Sequence, residues 1–246
     1  MEKDVDRDLD KERLRSWFVD QGIEMVIFDM DGTLVSTKDH FLDNMREYCS
    51  FLAEETDRDE SELFNMFLNG VRTMRPEFSV QSMALEVPAR VLARMCEVSG
   101  TRFEIVITRM LKKIYGEAPE VLPGAVEQVR MVRDAGVDTT LVTHAGEDWT
   151  LKKRQSFSGL FKQVVCTRTD MPKDIEAWKE ALQELGVNPG KVMVVGDSLV
   201  ADVQPSLELG VNRVVWINGG VSETKVPEEV IRVEEIGDLT GSLLKS

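Results

Sequence analysis

The feature of this sequence that most constrains its fold is an alternation of short apolar runs with stretches of helical periodicity. From residue 24 onward, each run is four or five residues long and gives way to a helical pattern after a Gly, Asp or Thr. This alternation is typical of parallel strands that crossover helices bury on both faces. It predicts an α/β fold with a doubly wound, mostly parallel, five-stranded Rossmann-like sheet. The five predicted strands are residues 24–28, 138–142, 163–166, 192–195 and 213–217.

The alternation is interrupted once, between Leu34 and Pro123. This segment shows only helical periodicity. Within it, Thr101-Arg102-Phe103-Glu104 has the pattern of a capping box, in which Thr101 would cap a helix over residues 105–115. The sequence therefore predicts an all-helical insertion after the first strand.

Two domains follow from this organisation. A Rossmann-like core, expected to carry the functional site, is predicted over residues 1–35 and 119–246, and a helical domain over residues 36–118. Residues 1–22 are predicted to form an amphipathic helix or a partly mobile arm, in which the apolar residues are Leu9, Leu14, Trp17 and Phe18.

Composition excludes several classes of function. The chain has 30 Lys and Arg against 44 Asp and Glu, a net charge of −14, which disfavours nucleic acids and anionic membranes as partners. Its three cysteines are widely spaced, so neither a disulfide framework nor a zinc ribbon is indicated. No segment offers about 18 uninterrupted apolar residues. We expect a soluble cytoplasmic protein.

Pairs of carboxylates follow two of the predicted strands. Asp29 and Asp31 come directly after the first strand, and Asp197 and Asp202 follow the fourth. Ligands of open α/β sheets bind at the carboxyl ends of strands, so these acids are expected to converge. Gathered carboxylates suit a hard cation, and Mg²⁺ pairs with a few carboxylates and a substrate phosphate. The simplest chemistry for such a site is magnesium-assisted phosphoryl transfer.

Two further residues are candidates for holding a phosphate. Thr143 ends the second strand, where its hydroxyl and nearby backbone amides could bind phosphate oxygens. Lys173 precedes a predicted helix over residues 175–185 and could supply a fixed positive charge beside the nucleophile.

In their order along the chain, these residues resemble the motifs of the haloacid dehalogenase-like (HAD) hydrolase superfamily. The resemblance covers nearly the whole chain from about residue 23, and it is specific because two acidic motifs enclose a Thr and a Lys in the family's order. The motif set is Asp29-x-Asp31-Gly32-Thr33, Thr143, Lys173, and Gly196-Asp197 followed by Asp202.

The resemblance implies a role for each residue. Asp29 would be the nucleophile that forms an aspartyl-phosphate, and Asp31 the general acid and base. Mg²⁺ would be held by Asp29, the backbone carbonyl of Asp31, and Asp197, with Asp202 binding or orienting at the same ion. Lys173 would be catalytic. The residues expected to contact substrate are Gly32, Thr33, Thr143 and His144.

The resemblance also implies a phosphatase with a small helical cap. Dehalogenating members lack an acid at the position of Asp31, so phosphate ester cleavage is favoured. The helical insertion is similar to the family's cap, which closes over the site and selects substrate. Residues 70–115 carry a local charge of +4, and we expect one or two of their arginines to face the cleft.

The sequence departs from the family's pattern at two points. Family members commonly have Lys-Pro about six positions before an aromatic residue, whereas here Pro172 precedes Lys173, five positions before Trp178. His144 follows Thr143 where many relatives have Asn or a small polar residue.

Several alternatives stay open from the sequence. A phosphomutase would use the same aspartyl-phosphate and transfer it to a sugar hydroxyl. A non-catalytic phosphate-binding or scaffold protein could keep the fold without turnover. For a phosphatase, the partner would be a small phosphorylated metabolite, with sugar phosphates, phosphoglycolate and nucleotides all possible. The oligomeric state is not predicted.

Overall fold

The computed structural model describes residues 2–74, 83–169, 172–217, 226–227 and 229–246. Within these ranges, one sheet contains six strands, which pair in parallel in the order β3-β2-β1-β4-β5-β6. The strands are β1 Met25–Phe28, β2 Asp138–Thr143, β3 Gln163–Cys166, β4 Val192–Gly196, β5 Arg213–Ile217 and β6 Val230–Val233. The predicted fold class is confirmed, but the predicted number of strands was wrong by one.

The missed strand, β6, lies at the edge of the sheet beside β5. Its sequence is Val-Ile-Arg-Val, and Arg232 is exposed while Val230 and Val233 are buried. An edge strand has one hydrogen-bonded neighbour and need not be apolar throughout. Because of this, a search for continuous apolar runs does not find it.

Ten helices accompany the sheet in the described ranges. They are α1 Glu2–Gln21, α2 Thr37–Thr56, α3 Glu60–Met74, α4 Met83–Met95, α5 Thr101–Gly116, α6 Ala125–Asp134, α7 Glu147–Lys153, α8 Ile175–Leu185, α9 Gln204–Glu208 and α10 Leu239–Leu243. A π-helical turn, Leu199–Val203, precedes α9. None of the described helices has the length and hydropathy needed to span a membrane.

The chain forms two compact units. One contains the sheet and comprises residues 1–36, 120–168 and 172–246, and the other is helical and comprises residues 37–119 with 169–171. The helical unit contains α2 to α5 and has its own buried core, to which Tyr48, Phe67 and Ile107 belong. Each unit therefore buries its own apolar side chains.

The sheet is buried on both faces, which explains its continuous apolar strands. Along β1, Val26 and Phe28 point to the face covered by α1, α6 and α10, while Met25 and Ile27 point to the face covered by α8 and α9. Side chains alternate between faces along a strand, so a strand with helices on both sides has no polar face.

Helix α1 is part of this core. Leu14 and Phe18 are buried against the sheet, and Trp17 packs at the edge of the same cluster. The prediction of a helix is confirmed, but Leu9, expected among its apolar contacts, is 59% exposed.

The capping-box prediction at Thr101 was wrong. Helix α5 already includes Thr101, its N-cap is Gly100, and no side chain caps it. The Glu104 carboxylate, which a capping box would direct to the helix start, instead accepts two hydrogen bonds from Arg90 at 2.8 and 3.1 Å. A tertiary ion pair has replaced the local contact.

A close backbone contact ties the start of α6 to the C-terminal region. Gly124 has φ 76°, and a Cβ there would lie 2.7 Å from the Cα of Gly237.

We expect Gly124→Ala to lower the free energy of unfolding by about 2–3 kcal/mol, since it adds a steric conflict to the strain of a left-handed residue. Gly22→Ala is the control: Gly22 has φ 67° with no atom within 4 Å of an added Cβ, so it should lose only about 1 kcal/mol. Urea unfolding measures both, and equal losses would contradict the steric argument.

Candidate active site

The predicted acids lie at the carboxyl ends of β1 and β4, which are neighbours in the sheet. The chain passes from β1 to β2 and β3 on one side and then returns to place β4 on the other, so this is the topological switch point where α/β proteins bind ligands. The register pairs Phe28 with Val195, and the Asp29 amide donates to the Val195 carbonyl at 2.9 Å. Asp29 and Asp197 are thereby brought to adjacent strand ends.

Lys173 lies at the centre of the site. Its ammonium donates to Asp29 Oδ1 at 2.5 Å, to Asp202 Oδ1 at 2.7 Å and to the Val142 carbonyl at 3.2 Å. The side chain is buried, and its Nζ lies 5.0 Å from the centre of the Trp178 ring. Burial lowers the pKa of Lys173, but the ion pairs with Asp202 and Asp29 outweigh this effect and hold that pKa above its ordinary value.

The start of α8 positions Lys173. The next residue, Asp174, caps the helix by accepting from the Glu176 and Ala177 amides. One turn later, Trp178 is buried and its Nε1 donates to the Ala201 carbonyl at 2.6 Å, which ties α8 to the π turn carrying Asp202. The reversed Pro-Lys order therefore leaves the ammonium within reach of both carboxylates.

Asp29, Asp197 and Asp202 form a group of carboxylates that fits a metal ion. One oxygen from each lies within 4.8 Å of the others. With Lys173 counted, three negative charges meet one positive charge, so a formal charge of −2 is left for a divalent cation to balance. These oxygen donors are the kind that Mg²⁺ takes.

The pKa values of two of these carboxyls are raised, and burial is the main cause. Burial raises the pKa of Asp29 to about 8, with the Lys173 ammonium opposing the rise and the neighbouring carboxylates adding to it. Burial, together with the Asp202 carboxylate, raises the pKa of Asp197 to about 6. Both shifts come first from burial, and neighbouring carboxylates add to them.

Two glycines permit the carboxylates to approach so closely. Gly32 has φ 86°, and a Cβ there would collide with the Asp197 carboxylate. A Cβ on Gly196 would lie 2.5 Å from the Cβ of Asp202. Thr33, which is buried, donates its hydroxyl to Asp197 Oδ1 at 3.4 Å. Gly32 and Thr33, predicted to contact substrate, thus also shape the acidic group.

The Asp31 carboxylate lies outside this group and is held by a lysine that the sequence analysis missed. Lys153 Nζ donates to both oxygens of Asp31 at 2.6 Å, and Thr143 Oγ1 donates to Oδ2 at 3.4 Å. Lys153 ends α7, and its ammonium lies 3.9 Å from the centre of the Trp149 ring. Trp149-x3-Lys153 is the signal that could have revealed it, because this spacing places the two side chains on one helix face.

His144 faces β3. Its Nδ1 lies 3.0 Å from the Thr167 hydroxyl, and that hydroxyl donates to the Thr143 carbonyl at 3.3 Å. The residue follows Thr143 at the strand end and is half-buried. Its predicted contact with substrate stays a prediction.

Three of the basic residues between positions 70 and 115 have carboxylate partners within the helical unit. Arg90 pairs with Glu86 and Glu104, Arg102 pairs with Glu55, and Lys113 pairs with Glu47. Arg75, also part of the predicted patch, lies outside the described residues. That some arginines face the cleft stays a prediction.

A cleft of about 420 Å³ in the sheet unit opens beside the acidic group. Gly32 and Asp197 line it, and Trp216, Leu122 and Ile236 contribute apolar surface. The Trp216 Nε1 donates to the Asp197 carbonyl at 2.8 Å. The carboxyl end of the sheet is therefore open to a small molecule within the described residues.

Comparison with known proteins identifies the family. The model of the haloacid dehalogenase-like hydrolases matches residues 23–210. The chain belongs to this family. N-acylneuraminate-9-phosphatase of Rattus norvegicus is 41% identical over 61 residues, which are 24% of this chain and 25% of that protein. The chain thus matches about a quarter of the length of this curated relative.

Solved HAD structures share the fold. A haloacid dehalogenase-like hydrolase from Xanthomonas campestris superposes with a TM-score of 0.73 at 18% identity, over 90% of this chain and 91% of that chain. L-2-haloacid dehalogenase from Xanthobacter autotrophicus gives 0.61 at 12% identity, over 89% and 97%. At identities this low, the superpositions show a shared architecture only. The chemistry depends on the residues of the site itself.

Asp197→Asn tests the acidic group directly. We expect weaker Mg²⁺ binding in a calorimetric titration, because a neutral amide replaces an anionic ligand. Without metal, the stability of the variant relative to wild type should rise between pH 5 and pH 8, by on the order of 1–2 kcal/mol.

The sign of the pH effect follows from the raised pKa values. A carboxyl whose pKa is raised on folding contributes stability that is complete below its unfolded value, 3.8, and is lost as the pH rises through its folded value, here about 6 for Asp197 and about 8 for Asp29. Asp138→Asn, at a surface ion pair with Lys162, is the control and should leave Mg²⁺ binding unchanged. Unaltered Mg²⁺ affinity in Asp197→Asn would remove Asp197 from the metal ligands.

Proposed function

We propose that the protein is a Mg²⁺-dependent phosphatase that hydrolyses a small cytoplasmic phosphate monoester through an aspartyl-phosphate on Asp29. One observation carries the proposal: Asp29 belongs to the carboxylate group that fits a metal, while Asp31 lies outside that group on a different lysine. Two carboxylates so close in sequence but in different surroundings can serve as nucleophile and as proton carrier.

The first step transfers the phosphoryl group to Asp29. A carboxylate oxygen of Asp29 attacks phosphorus, and the bond between phosphorus and the substrate oxygen breaks. The electron pair of that bond stays on the leaving oxygen, which takes the proton of the Asp31 carboxyl and departs as an alcohol. Lys173, bonded to Asp29, holds the nucleophile in place and offsets its charge.

The second step returns the enzyme to its starting state. The Asp31 carboxylate takes a proton from water as the water oxygen attacks phosphorus, and the bond between phosphorus and Asp29 breaks. Inorganic phosphate leaves, Asp29 is again a carboxylate and Asp31 again carries its proton. When bound, Mg²⁺ supplies the positive charge that the acidic group lacks and offsets the charge of the phosphoryl oxygens.

Thr143 and the helical unit complete the proposal. Thr143 is placed at the end of β2 beside Asp31, where its hydroxyl could also bind a phosphoryl oxygen. The helical unit, residues 37–119, is the proposed selector of the substrate. The rat N-acylneuraminate-9-phosphatase supports phosphatase chemistry, and its match is too short to carry over a substrate.

Asp29→Asn is the decisive variant for this function. We expect wild type to release phosphate from p-nitrophenyl phosphate only with Mg²⁺, and the variant to lose both phosphate release and phosphoenzyme, because an amide cannot attack as a carboxylate does. Rapid-quench labelling followed by peptide mapping should place the phosphoryl group on Asp29. Asp138→Asn is the matched control and should retain activity.

The same assays separate the alternatives. A hexose phosphate converted to its isomer without release of inorganic phosphate would indicate a phosphomutase. No Mg²⁺-dependent release from folded wild type across a broad panel of phosphorylated metabolites would overturn the enzyme proposal in favour of a binding protein. A label on any other residue would reassign the nucleophile.

A further inference from the structure

A wholly buried lysine, Lys153, donates hydrogen bonds to the carboxylate of Asp31, the second aspartate of the first motif. The Lys153 side chain is 0% exposed, whereas the Asp31 side chain is 27% exposed. The two Nζ–oxygen distances are equal, 2.6 Å, so the ammonium bridges the carboxylate. On another side, the ammonium faces the Trp149 ring at 3.9 Å. Neither the family resemblance nor the proposed phosphatase mechanism assigns a role to this lysine.

This geometry restricts the carboxylate more than a single hydrogen bond would. A carboxylate bonded through one oxygen can swing about that bond, while one bonded through both is fixed in its plane. Burial between Asp31 and an aromatic face also leaves the lysine little freedom, since a displaced ammonium would lose both its counter-charge and its cation–π contact. The partly exposed carboxylate is therefore anchored from its buried side.

We propose that Lys153 is a positioning residue that holds the Asp31 carboxyl where it exchanges protons with the leaving group and with water. Each of the two aspartates then has its own lysine. Lys173, at the start of α8, holds the nucleophile, and Lys153, at the end of α7, holds the proton carrier. This inference rests on the proposed phosphatase function and adds a residue to it.

Lys153 should affect only the steps in which Asp31 transfers a proton. Attack by Asp29 on a substrate with a good leaving group needs no proton, so it should proceed without Lys153. Protonation of a basic leaving group and deprotonation of water both pass through Asp31, so both should slow when its carboxyl is misplaced.

The first test uses two substrates that share a phenyl ring and differ in the basicity of the leaving group, p-nitrophenyl phosphate and phenyl phosphate. For Lys153→Met, we expect kcat/KM to fall by about 10²-fold with phenyl phosphate and by much less with p-nitrophenyl phosphate. With p-nitrophenyl phosphate, phosphoenzyme should accumulate in a rapid-quench experiment. Lys153→Arg, which keeps a cation at this position, should recover part of the loss.

A double-mutant cycle then asks whether Lys153 acts through Asp31. If it does, adding Lys153→Met to Asp31→Asn should change the phenyl phosphate rate by less than about 3-fold, although Lys153→Met alone has a large effect. The control cycle combines Lys162→Met with Asp138→Asn, a surface ion pair of the same residue types with an Nζ–oxygen distance of 2.6 Å. All members of the control cycle should keep wild-type rates and substrate preference.

Three results would overturn the inference while leaving the phosphatase proposal intact. They are equal losses with both substrates in Lys153→Met, absence of accumulated phosphoenzyme, and additive effects in the cycle, which would mean that Lys153 acts on substrate or on the fold as a whole.

Thermal unfolding and near-ultraviolet circular dichroism establish that each variant is folded. If Lys153→Met does not fold, the test is carried by Lys153→Arg and by the double variant, in which neither Lys153 nor Asp31 leaves a charged partner unpaired. Failure of wild type to form any phosphoenzyme would instead overturn the phosphatase proposal itself.

Discussion

Charge crowding at the carboxyl end of β1 and β4 is the constraint to which the rest of the structure responds. Four aspartates, Asp29, Asp31, Asp197 and Asp202, are gathered there around two buried lysines. Burial of Asp29, with the neighbouring carboxylates adding to its effect, raises the pKa of this group to about 8. The strands supply the rigidity that such crowding requires, because their hydrogen bonds fix the backbone on which the acids stand. An imbalance of charge is thereby stored at the site, and a divalent cation can relieve it.

The same device holds each lysine. Lys173 lies between carboxylates and the ring of Trp178, and Lys153 lies between a carboxylate and the ring of Trp149. An aromatic face attracts a cation without adding a competing negative charge, so it supports the ammonium from behind and leaves the carboxylates as its hydrogen-bond acceptors. The two tryptophans, which packing alone would explain, therefore also fix the positions of the two positive charges.

The two lysines hold Asp29 and Asp31, which are two residues apart in the sequence, in different surroundings. Asp29 continues the line of β1 and is almost wholly buried, whereas Asp31 lies in the following turn and is partly exposed. The Asp29 carboxylate joins the acidic group, and the Asp31 carboxylate turns to α7 and to Thr143 at the end of β2. Chemistry that needs a nucleophile and a separate proton carrier is served by this arrangement, since a single shared environment would give both acids the same task.

The sequence by itself determined the fold class, five of the six strands and the acids at their ends, because strands buried on both faces must be continuously apolar and ligand-binding residues must follow them. It also placed α8 correctly, over residues 175–185. Only the tertiary structure decided the rest. β6 is an edge strand with a charged residue, the start of α5 is governed by an ion pair between Arg90 and Glu104, and Lys153 reaches Asp31 across 122 positions of sequence. A lysine in a helix usually faces solvent, and the Trp149-x3-Lys153 spacing places the two side chains on one helix face without indicating that this face is buried. That outcome depends on where the sheet topology places a distant carboxylate, and on the aromatic face that completes the lysine's surroundings.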